Sequence, residues 1–461
     1  MAAEERNSEE EKERTRELEL EKLRTLLENH DAEGLHAFVA DENAIDFAQQ
    51  VDELSDEEIE KLTPMLTDEE LGSVMEQSEE EEQTRIAKTL DNDRILNGFA
   101  TMQKDDIVDM LGEMPIGRRK ELINAMKADD RQIITNLLQY PGDSAGGLMT
   151  TEYIALREDR TVGQGLSKIE EIGPKTEVIE TIFIVDPRRR LIGWCDLRDI
   201  LSSPKDTMLR DIMHDDVISV QPETDQEETA KLVSRYDLKA LPVVSATNQI
   251  LGIITVDDII DVIVEEYDED MMQMAGVSSE ESLETTLWQS VRLRLPWLLV
   301  NLATAFLASF TVRAFEGTIE KVVALSSIMT IVSGMGGNAG SQTTSILIRA
   351  LSQNKLHFKD CIRPLFKEVL LAVINGAACG IVTAIVVYFM YGNVFLGIIV
   401  IMSMIGNLLV AGICGFLIPV ILSQLHLDPA VSSSIFLTTA TDVLGFFIFL
   451  GLATLFLPYL V

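Results

Sequence analysis

Residues 369–427 read VLLAVINGAACGIVTAIVVYFMYGNVFLGIIVIMSMIGNLLVAGICGFLIPVILSQLHL, and between Glu368 and Asp428 there is no Asp, Glu, Lys or Arg. Soluble cores do not run this long without charge. About 20 apolar residues cross roughly 30 Å of hydrocarbon, so this stretch holds two membrane spans. Working outward from it, the apolar pattern beyond Arg294 divides into five spans, at about 295–314, 321–346, 368–391, 394–422 and 430–458.

Charge is segregated in the same way. The 461 residues carry 38 Lys+Arg and 75 Asp+Glu, net −37, yet mean hydropathy is +0.14. Residues 291–461 hold 9 of the basic and 6 of the acidic side chains, which leaves 29 and 69, net −40, in residues 1–290. An acidic module joined to a nearly uncharged membrane part excludes an ordinary soluble enzyme. It also excludes general nucleic-acid binding, because phosphates would be repelled. No nucleophile–base pairing stands out and there are only five His, so enzymatic chemistry is not expected. Cys195, Cys361, Cys379 and Cys414 form no CxxC, which points to neither a disulfide framework nor a thiolate metal site. The start, MAAEERNSEEEKER, lacks an apolar core, so no cleavable signal peptide is expected.

Orientation follows from basic residues in short loops. The 347–367 loop carries Arg349, Lys355, Lys359, Arg363 and Lys367, whereas the loop at 392–393 has none. That places the 347–367 loop and, with five spans, the N-terminus in the cytoplasm and the C-terminus outside.

Upstream of the membrane part, residues 1–17 are charged low-complexity sequence, expected to be disordered. Residues 18–140 read as an all-α acidic domain of short amphipathic units with acidic starts, such as Ser55-Asp-Glu-Glu and Thr67-Asp-Glu-Glu, which suit a helix N-terminus. Several in a row suggest stacked helical hairpins. Residues 141–262 switch to an α/β pattern that repeats internally: GGLMTTEYIAL (146–156) echoes RDIMHDDVISV (210–220), and LIGWCDLRDIL (191–201) echoes ILGIITVDDII (250–260). Residues 263–290 form an acidic connecting segment whose first half is helical, and 291–461 are the transmembrane domain.

Three features carry chemistry. Asp442, in TTATDVLGFF, is the lone formal charge between Asp428 and the C-terminus and lies near the middle of the fifth span. An ionised Asp there costs at least about 2.5–3.5 kcal/mol unless it faces water or a partner, and no Lys or Arg lies at its depth. A lone acid in a pore without basic residues selects cations. The second feature is SGMGGNAGSQTTS (333–345). Its glycines permit either close helix approach or an unwound backbone lining a cavity, and Asn338, Ser341 and Gln342 add oxygens suited to a hydrated ion. The third is a set of carboxylates near the membrane: Asp225, Glu227, Asp237, Asp257, Asp258 and Asp261 in the second copy of the repeat, Glu266, Glu269 and Asp270 in the connecting helix, and Asp428 before the last span. Carboxylates with few His suit Mg²⁺ or Ca²⁺ rather than Zn²⁺.

The tandem repeat resembles a pair of CBS domains, on Leu241-Pro-Val-Val244 and Gly252-Ile-Ile-Thr255-Val-Asp-Asp258. That resemblance implies an adenosine nucleotide such as ATP, with Thr255 and Asp258 at its ribose; the first copy departs from it, with Asp196 where the Thr would stand. The order of parts, with G-G-N-A-G-S-Q, then Asp428-Pro-Ala and T-x-x-D ending at Asp442, resembles the MgtE family of magnesium transporters from about residue 20 onward. The resemblance implies a homodimeric, Mg²⁺-selective channel in the cell (inner) membrane, with its pore on the two-fold axis and closure by cytosolic Mg²⁺. On it the pore positions are Asp442 with carbonyls near Thr438 and Gly337. The Mg²⁺-sensing positions are Asp225, Glu227, Asp237, Asp258, Asp261, Glu266, Glu269, Asp270 and Asp428, with Asp105, Asp106 and Asp109 in the helical domain. Ser434 stands where the family can carry Asn. A cation-coupled exchanger exporting Mg²⁺ or Co²⁺, and a membrane-tethered nucleotide sensor, are the competing readings.

Overall fold

The structure, a computed structural model, describes residues 2–78, 80–173, 176, 178–278, 281–283, 285–352, 361–425 and 429–460. It divides into two compact units, Met1–Ile263 and Val264–Val461.

The first unit opens with helix α1 (Ala2–Asn29), which already begins inside the segment expected to be a disordered tail; Glu, Lys and Arg are good helix formers. Short helices follow: α2 (Ala32–Asp41), α3 (Ala44–Asp52), α4 (Asp56–Leu62), α5 (Asp68–Gln77), α6 (Glu80–Thr89), α7 (Asn92–Gly98), α8 (Lys104–Glu113), α9 (Ile116–Ala125) and α10 (Ala128–Leu137). Ser55 and Thr67 start α4 and α5 as capping boxes with Glu58 and Glu70, so the acidic starts seen in the sequence are caps. From α3 on, each helix packs on the next but one, α3 on α5 on α7 on α9 and α4 on α6 on α8 on α10, which is a two-layered solenoid. Arginines tie successive turns together by donating to carbonyls in the turns that follow earlier helices. Arg85 reaches Leu54 O (2.6 Å), Arg94 reaches Thr63 O (3.2 Å) and Leu66 O (2.7 Å), and Arg118 reaches Leu90 O (2.7 Å). These carbonyls have no intrahelical donor, so the guanidinium replaces one. Changing Arg94 to Met is expected to lower stability by about 2 kcal/mol, within the range for charged hydrogen bonds. The midpoint of thermal unfolding reads this, and an unmoved midpoint would show the clamp to be dispensable.

The α/β part contains β1 (Ala155–Arg157), α11 (Val162–Ile172), β2 (Thr181–Val185), β3 (Leu191–Asp196), α12 (Leu197–Ser202), α13 (Gln226–Tyr236), β4 (Ala240–Val244), β5 (Ile250–Thr255) and α14 (Val256–Met274). In the first copy β1 pairs parallel with β2, and β2 antiparallel with β3. In the second, β4 and β5 are antiparallel and Val220 bridges β4 in parallel, in the place β1 takes in the first. The sequence echo is built crosswise. Met149, in the first copy, lies over Gly252 of the second, and Met213, in the second, lies over Gly193 of the first. A Cβ at either glycine would come within about 3 Å of a methionine sulfur, 3.0 Å at Gly252 and 2.9 Å at Gly193. One apolar core runs from the solenoid (Leu111, Leu137) through Met149 to Leu241 and Ile259, and so brings α8 of the solenoid up against the start of α14.

The second unit contains α15 (Leu287–Ala314), α16 (Glu316–Lys321), α17 (Ala324–Ser352), α18 (Ile362–Tyr391), α19 (Val394–Gln424), α20 (Pro429–Leu455) and α21 (Leu457–Leu460). Helix α19 is central and packs on α17, α18 and α20, with α15 on α20; Ile399, Val400, Met404, Phe449 and Leu450 are buried between them. Among the described residues four helices, α15, α18, α19 and the 434–455 part of α20, are long and apolar enough to cross a membrane. Helix α17 has the length, 29 residues, but its Gly, Ser, Thr, Asn and Gln keep it from the same hydropathy. The second of the five spans read from sequence is therefore an apolar helix interrupted by small and polar residues, preceded by a break at Val322 and Val323.

Candidate functional site

Asp442 lies on α20, half-buried, and accepts a short hydrogen bond from the Ser333 hydroxyl of α17. Among the described residues no basic side chain bonds to it. Around this pair the bundle is polar. Thr441 and Asn407 are fully buried, and Asn407 Nδ2 donates to Val332 O at 2.7 Å. Further along α17, Thr343 donates to Glu368 Oε2 at 3.0 Å and Thr344 to Gly415 O at 3.2 Å.

The glycine-rich stretch is a continuous helix. Of the two sequence alternatives, close approach is the one built. A Cβ on Gly340 would meet Leu437 of α20 at 2.6 Å, and one on Gly415 of α19 would meet Gly340 O at 2.8 Å. Carbonyls around Gly337 and Thr438 are therefore helix carbonyls rather than unwound ones, and Thr438 O already accepts from Thr441 Oγ1 at 3.1 Å. Among the described residues nothing beyond its own turn of helix lies within 4 Å of where a Cβ on Gly337 would be, while Asn338 and Thr438 are exposed.

Exposure along α17 follows a pattern. Ser327, Thr330, Gly334, Asn338, Ser341 and Ser345 are all exposed, and a spacing of three or four places them on one helix face. On α20, Ser434, Thr438 and Asp442 recur every fourth residue and are each at least partly exposed. Elsewhere the exposed positions of the bundle are chiefly Leu, Ile, Val and Phe.

A second acidic site lies in the first unit, where α8 meets α5 and α14. Asp105 is 7% exposed, and its Oδ1 has no hydrogen-bond partner among the described residues. Burial, and then the nearby Asp258 carboxylate, push its pKa up to about 7. Asp106 is raised further by burial and by Asp105, Glu76, Asp258 and Asp109, and it shares a hydrogen bond with Glu76. Two hydrogen-bonded carboxyls imply a shared proton. Asp258 is also raised, chiefly by burial, although Thr255 Oγ1 donates to it at 2.5 Å. Lys104 lies 3.9 Å from both Asp130 and Glu152 at the rim. Among the described residues no three carboxylates converge as a ready-made metal cage. Paired acids, one of them buried with an oxygen left unpartnered among the described residues, still fit a hard divalent cation that keeps most of its waters.

The other sequence candidates are spread out. Asp225 caps α13, accepting from Glu227 N at 2.9 Å, and Glu227 pairs with Lys231 at 2.6 Å. Asp237 ends the same helix in the left-handed region, φ 52°. Asp261 is exposed on α14, where Glu266, Glu269 and Asp270 follow, with Glu269 accepting from Gln273. Thr255 is buried and spends its hydroxyl on Asp258. Asp428 lies outside the described residues. Sequence reading missed Glu76, Ser333 and Asn407. Ser333 sits at the start of the quoted glycine stretch, but nothing in that stretch says which hydroxyl reaches Asp442.

The comparisons with known proteins fall on the same parts. Residues 42–143 match the MgtE intracellular N domain, 209–265 a CBS domain, and 329–452 the MgtE divalent cation transporter family. The magnesium transporter MgtE of Bacillus subtilis is 32% identical over 85% of this chain and 87% of its own, and that of Thermus thermophilus is 31% identical over 94% and 98%. The chain belongs to the MgtE family. Members of this family are transporters rather than enzymes, and this one has the family's helical N domain, its CBS pair and a C-terminal helical part with candidate membrane spans. Among solved structures, the cytosolic domain of the Mg²⁺ channel MgtE in complex with ATP is 33% identical, with a TM-score of 0.50, and covers 53% of this chain and 99% of that one. The soluble part of a magnesium transporter is 27% identical with a TM-score of 0.51, covering 54% and 99%.

Proposed function

We propose that this MgtE protein is a Mg²⁺ channel that takes up Mg²⁺ down its electrochemical gradient and closes when cytosolic Mg²⁺ binds its acidic domains. The observation that carries this is the pair of polar faces on α17 and α20 left uncovered in a single chain. A polar stripe toward lipid is costly. Two copies meeting on a two-fold axis would turn both stripes inward to line a pore. Asp442, Asn338, Thr438 and the open surface at Gly337 would then face a hydrated Mg²⁺ from each side, α17 would bring the number of spans to five, and lipid would cover the apolar faces. The N-terminus is cytoplasmic and the C-terminus extracytoplasmic, with the helical domain over 18–140, the CBS pair over 141–262, the connecting helix over 263–290 and the transmembrane domain over 291–461. Sensing Mg²⁺ falls to Asp225, Glu227, Asp237, Asp258, Asp261, Glu266, Glu269, Asp270, Asp428, Asp106 and Asp109. ATP at Thr255 and Asp258 is supported by the relative solved with ATP.

Weak sites suffice for such gating. At free Mg²⁺ twice the dissociation constant, a site present only in the closed state contributes about 0.65 kcal/mol. Twelve sites in a dimer give about 8 kcal/mol, against the roughly 5.5 needed to move an equilibrium from 1:99 to 99:1. The test is Mg²⁺ current in patches holding the purified protein, with cytosolic-side Mg²⁺ stepped from zero to about 10 mM. Current that shuts with rising Mg²⁺ is expected, with closure in Asp258→Ala shifted about twofold to fivefold upward in Mg²⁺ but retained. Cation-coupled flux without current would instead establish an exchanger, and full constitutive opening by that single change would rule out closure by many weak sites.

A further inference from the structure

Asn407 is fully buried at the crossing of α17, α19 and α20, an unusual place for an amide. Its Nδ2 donates to the carbonyl of Val332, the residue before Ser333. Its Oδ1 has no hydrogen-bond partner among the described residues, so the side chain is not fully satisfied where it sits. Two glycines make room for it. A Cβ on Gly445 of α20 would lie 2.6 Å from Asn407 Oδ1, and one on Gly336 of α17 would overlap its Nδ2. Gly336 lies three residues beyond Ser333 and Gly445 three beyond Asp442. One side chain on α19 is thus keyed between the two helices that carry the Ser333–Asp442 bond, one turn from that bond on each. A helix carbonyl has a second lone pair to offer, so the bond to Val332 adds to the helix rather than breaking it.

We propose that Asn407 is a positioning residue for cation passage: by pinning α17 at Val332 and filling the gap left by Gly336 and Gly445, it holds the Ser333 hydroxyl on Asp442 and fixes the direction in which that carboxylate meets the ion. The proposal rests on the reading of Asp442 as the pore acid. A carboxylate held in one orientation suits Mg²⁺, which demands regular geometry and keeps its waters. A freed one accommodates Ca²⁺, whose coordination is looser.

The test is flux of Mg²⁺ and of Ca²⁺ into liposomes holding the full-length protein. Asn407→Ala is expected to lower the Mg²⁺/Ca²⁺ flux ratio at least fivefold. Ser333→Ala should lower it by a similar factor, and the double variant should be no worse than Ser333→Ala, since the two act as one unit. Gly415→Ala disturbs the same α17–α19 contact two turns away, and should lower the melting temperature without moving the ratio. Should Asn407→Ala not purify as folded protein, Asn407→Ser and Gly336→Ala strain the same bond and carry the measurement. A wild-type ratio in the folded Asn407 variants, or additive losses in the double variant, overturns the proposal. Asp442→Asn separates the two levels of the argument. If it leaves Mg²⁺ flux intact, the pore reading itself fails; if it abolishes flux while Asn407 variants keep the wild-type ratio, only the positioning role does.

Discussion

Asp442→Asn is expected to reduce Mg²⁺ flux at least a hundredfold while leaving the protein folded and membrane-inserted. The substitution keeps the size of the side chain and leaves an oxygen for the Ser333 hydroxyl, which donates to Asp442 Oδ1, so the helix contacts persist and only the charge goes. What the charge does is large. A divalent ion about 5 Å from a carboxylate, with water between them, gains roughly 6–7 kcal/mol at an effective dielectric of about 20. Even a third of that is more than tenfold in occupancy, and two copies of the chain would supply it twice. Among the described residues no Lys or Arg bonds to Asp442, so neutralising it leaves no opposite charge there stranded; stability should hold or rise slightly, since an ionised Asp at this depth is itself unfavourable. Uptake of Mg²⁺ into liposomes, with circular dichroism beside it, checks both halves. Flux above a tenth of wild type in folded Asp442→Asn would move the selective element elsewhere on the α17 and α20 faces.

What could be read from sequence, and what could not, follows from the range of the forces involved. Burial in lipid acts residue by residue, so the membrane segments and the isolation of Asp442 were visible in 369–461 as an absence of charge. Caps are equally local, and Ser55 and Thr67 are followed three residues on by the glutamates they bond. The CBS echo was legible because Met149 and Met213, and Gly193 and Gly252, recur in parallel. That each methionine packs over the other copy's glycine needed the fold. Helix α17 was half legible: its glycines left both close packing and unwinding open, and the choice depends on Leu437 and Gly415, far away in sequence. The acidic domain hid most. Within residues 1–290 there are 69 Asp and Glu, so composition could not tell Glu76 from its exposed neighbours. Only the packing of α5, α8 and α14 singles it out, by burying Asp105 and Asp106 beside it.

That burial sets the second large effect, a dependence of stability on pH that Mg²⁺ should reverse. Asp105 titrates near 7 in the folded protein because burial and the Asp258 carboxylate disfavour its charge, whereas an unfolded Asp titrates near 3.9. Between those values the folded state binds more protons than the unfolded one, so stability falls as pH rises. About three pH units at 1.36 kcal/mol each bound the loss from this one group at roughly 4 kcal/mol. Asp106 acts in the same direction, as does Glu82, whose pKa burial lifts to about 7 despite its contact with Arg85. The carboxylates held low act oppositely: Glu58, by the Ser55 backbone bond, and Glu70, whose burial is outweighed by its bonds to Thr67 and His36. Their contribution is lost only as pH falls below about 4.5, outside the window. With EDTA, the melting temperature of the acidic unit within the full-length protein should therefore be higher at pH 5.5 than at pH 8, by about 5–10 °C at roughly 2–4 °C per kcal/mol. Mg²⁺ competes with those protons, so 10 mM Mg²⁺ should raise the melting temperature much more at pH 8 than at pH 5.5, narrowing or inverting the difference. Asp105→Asn removes one of these sources, a buried carboxyl whose Oδ1 has no hydrogen-bond partner among the described residues. It should raise the metal-free melting temperature at pH 8, flatten the pH dependence without removing the share due to Glu82, and weaken the response to Mg²⁺. A metal-free protein more stable at pH 8 than at pH 5.5 would mean that these carboxylates are not held protonated by burial, and the acidic cluster would lose its claim to be where Mg²⁺ acts.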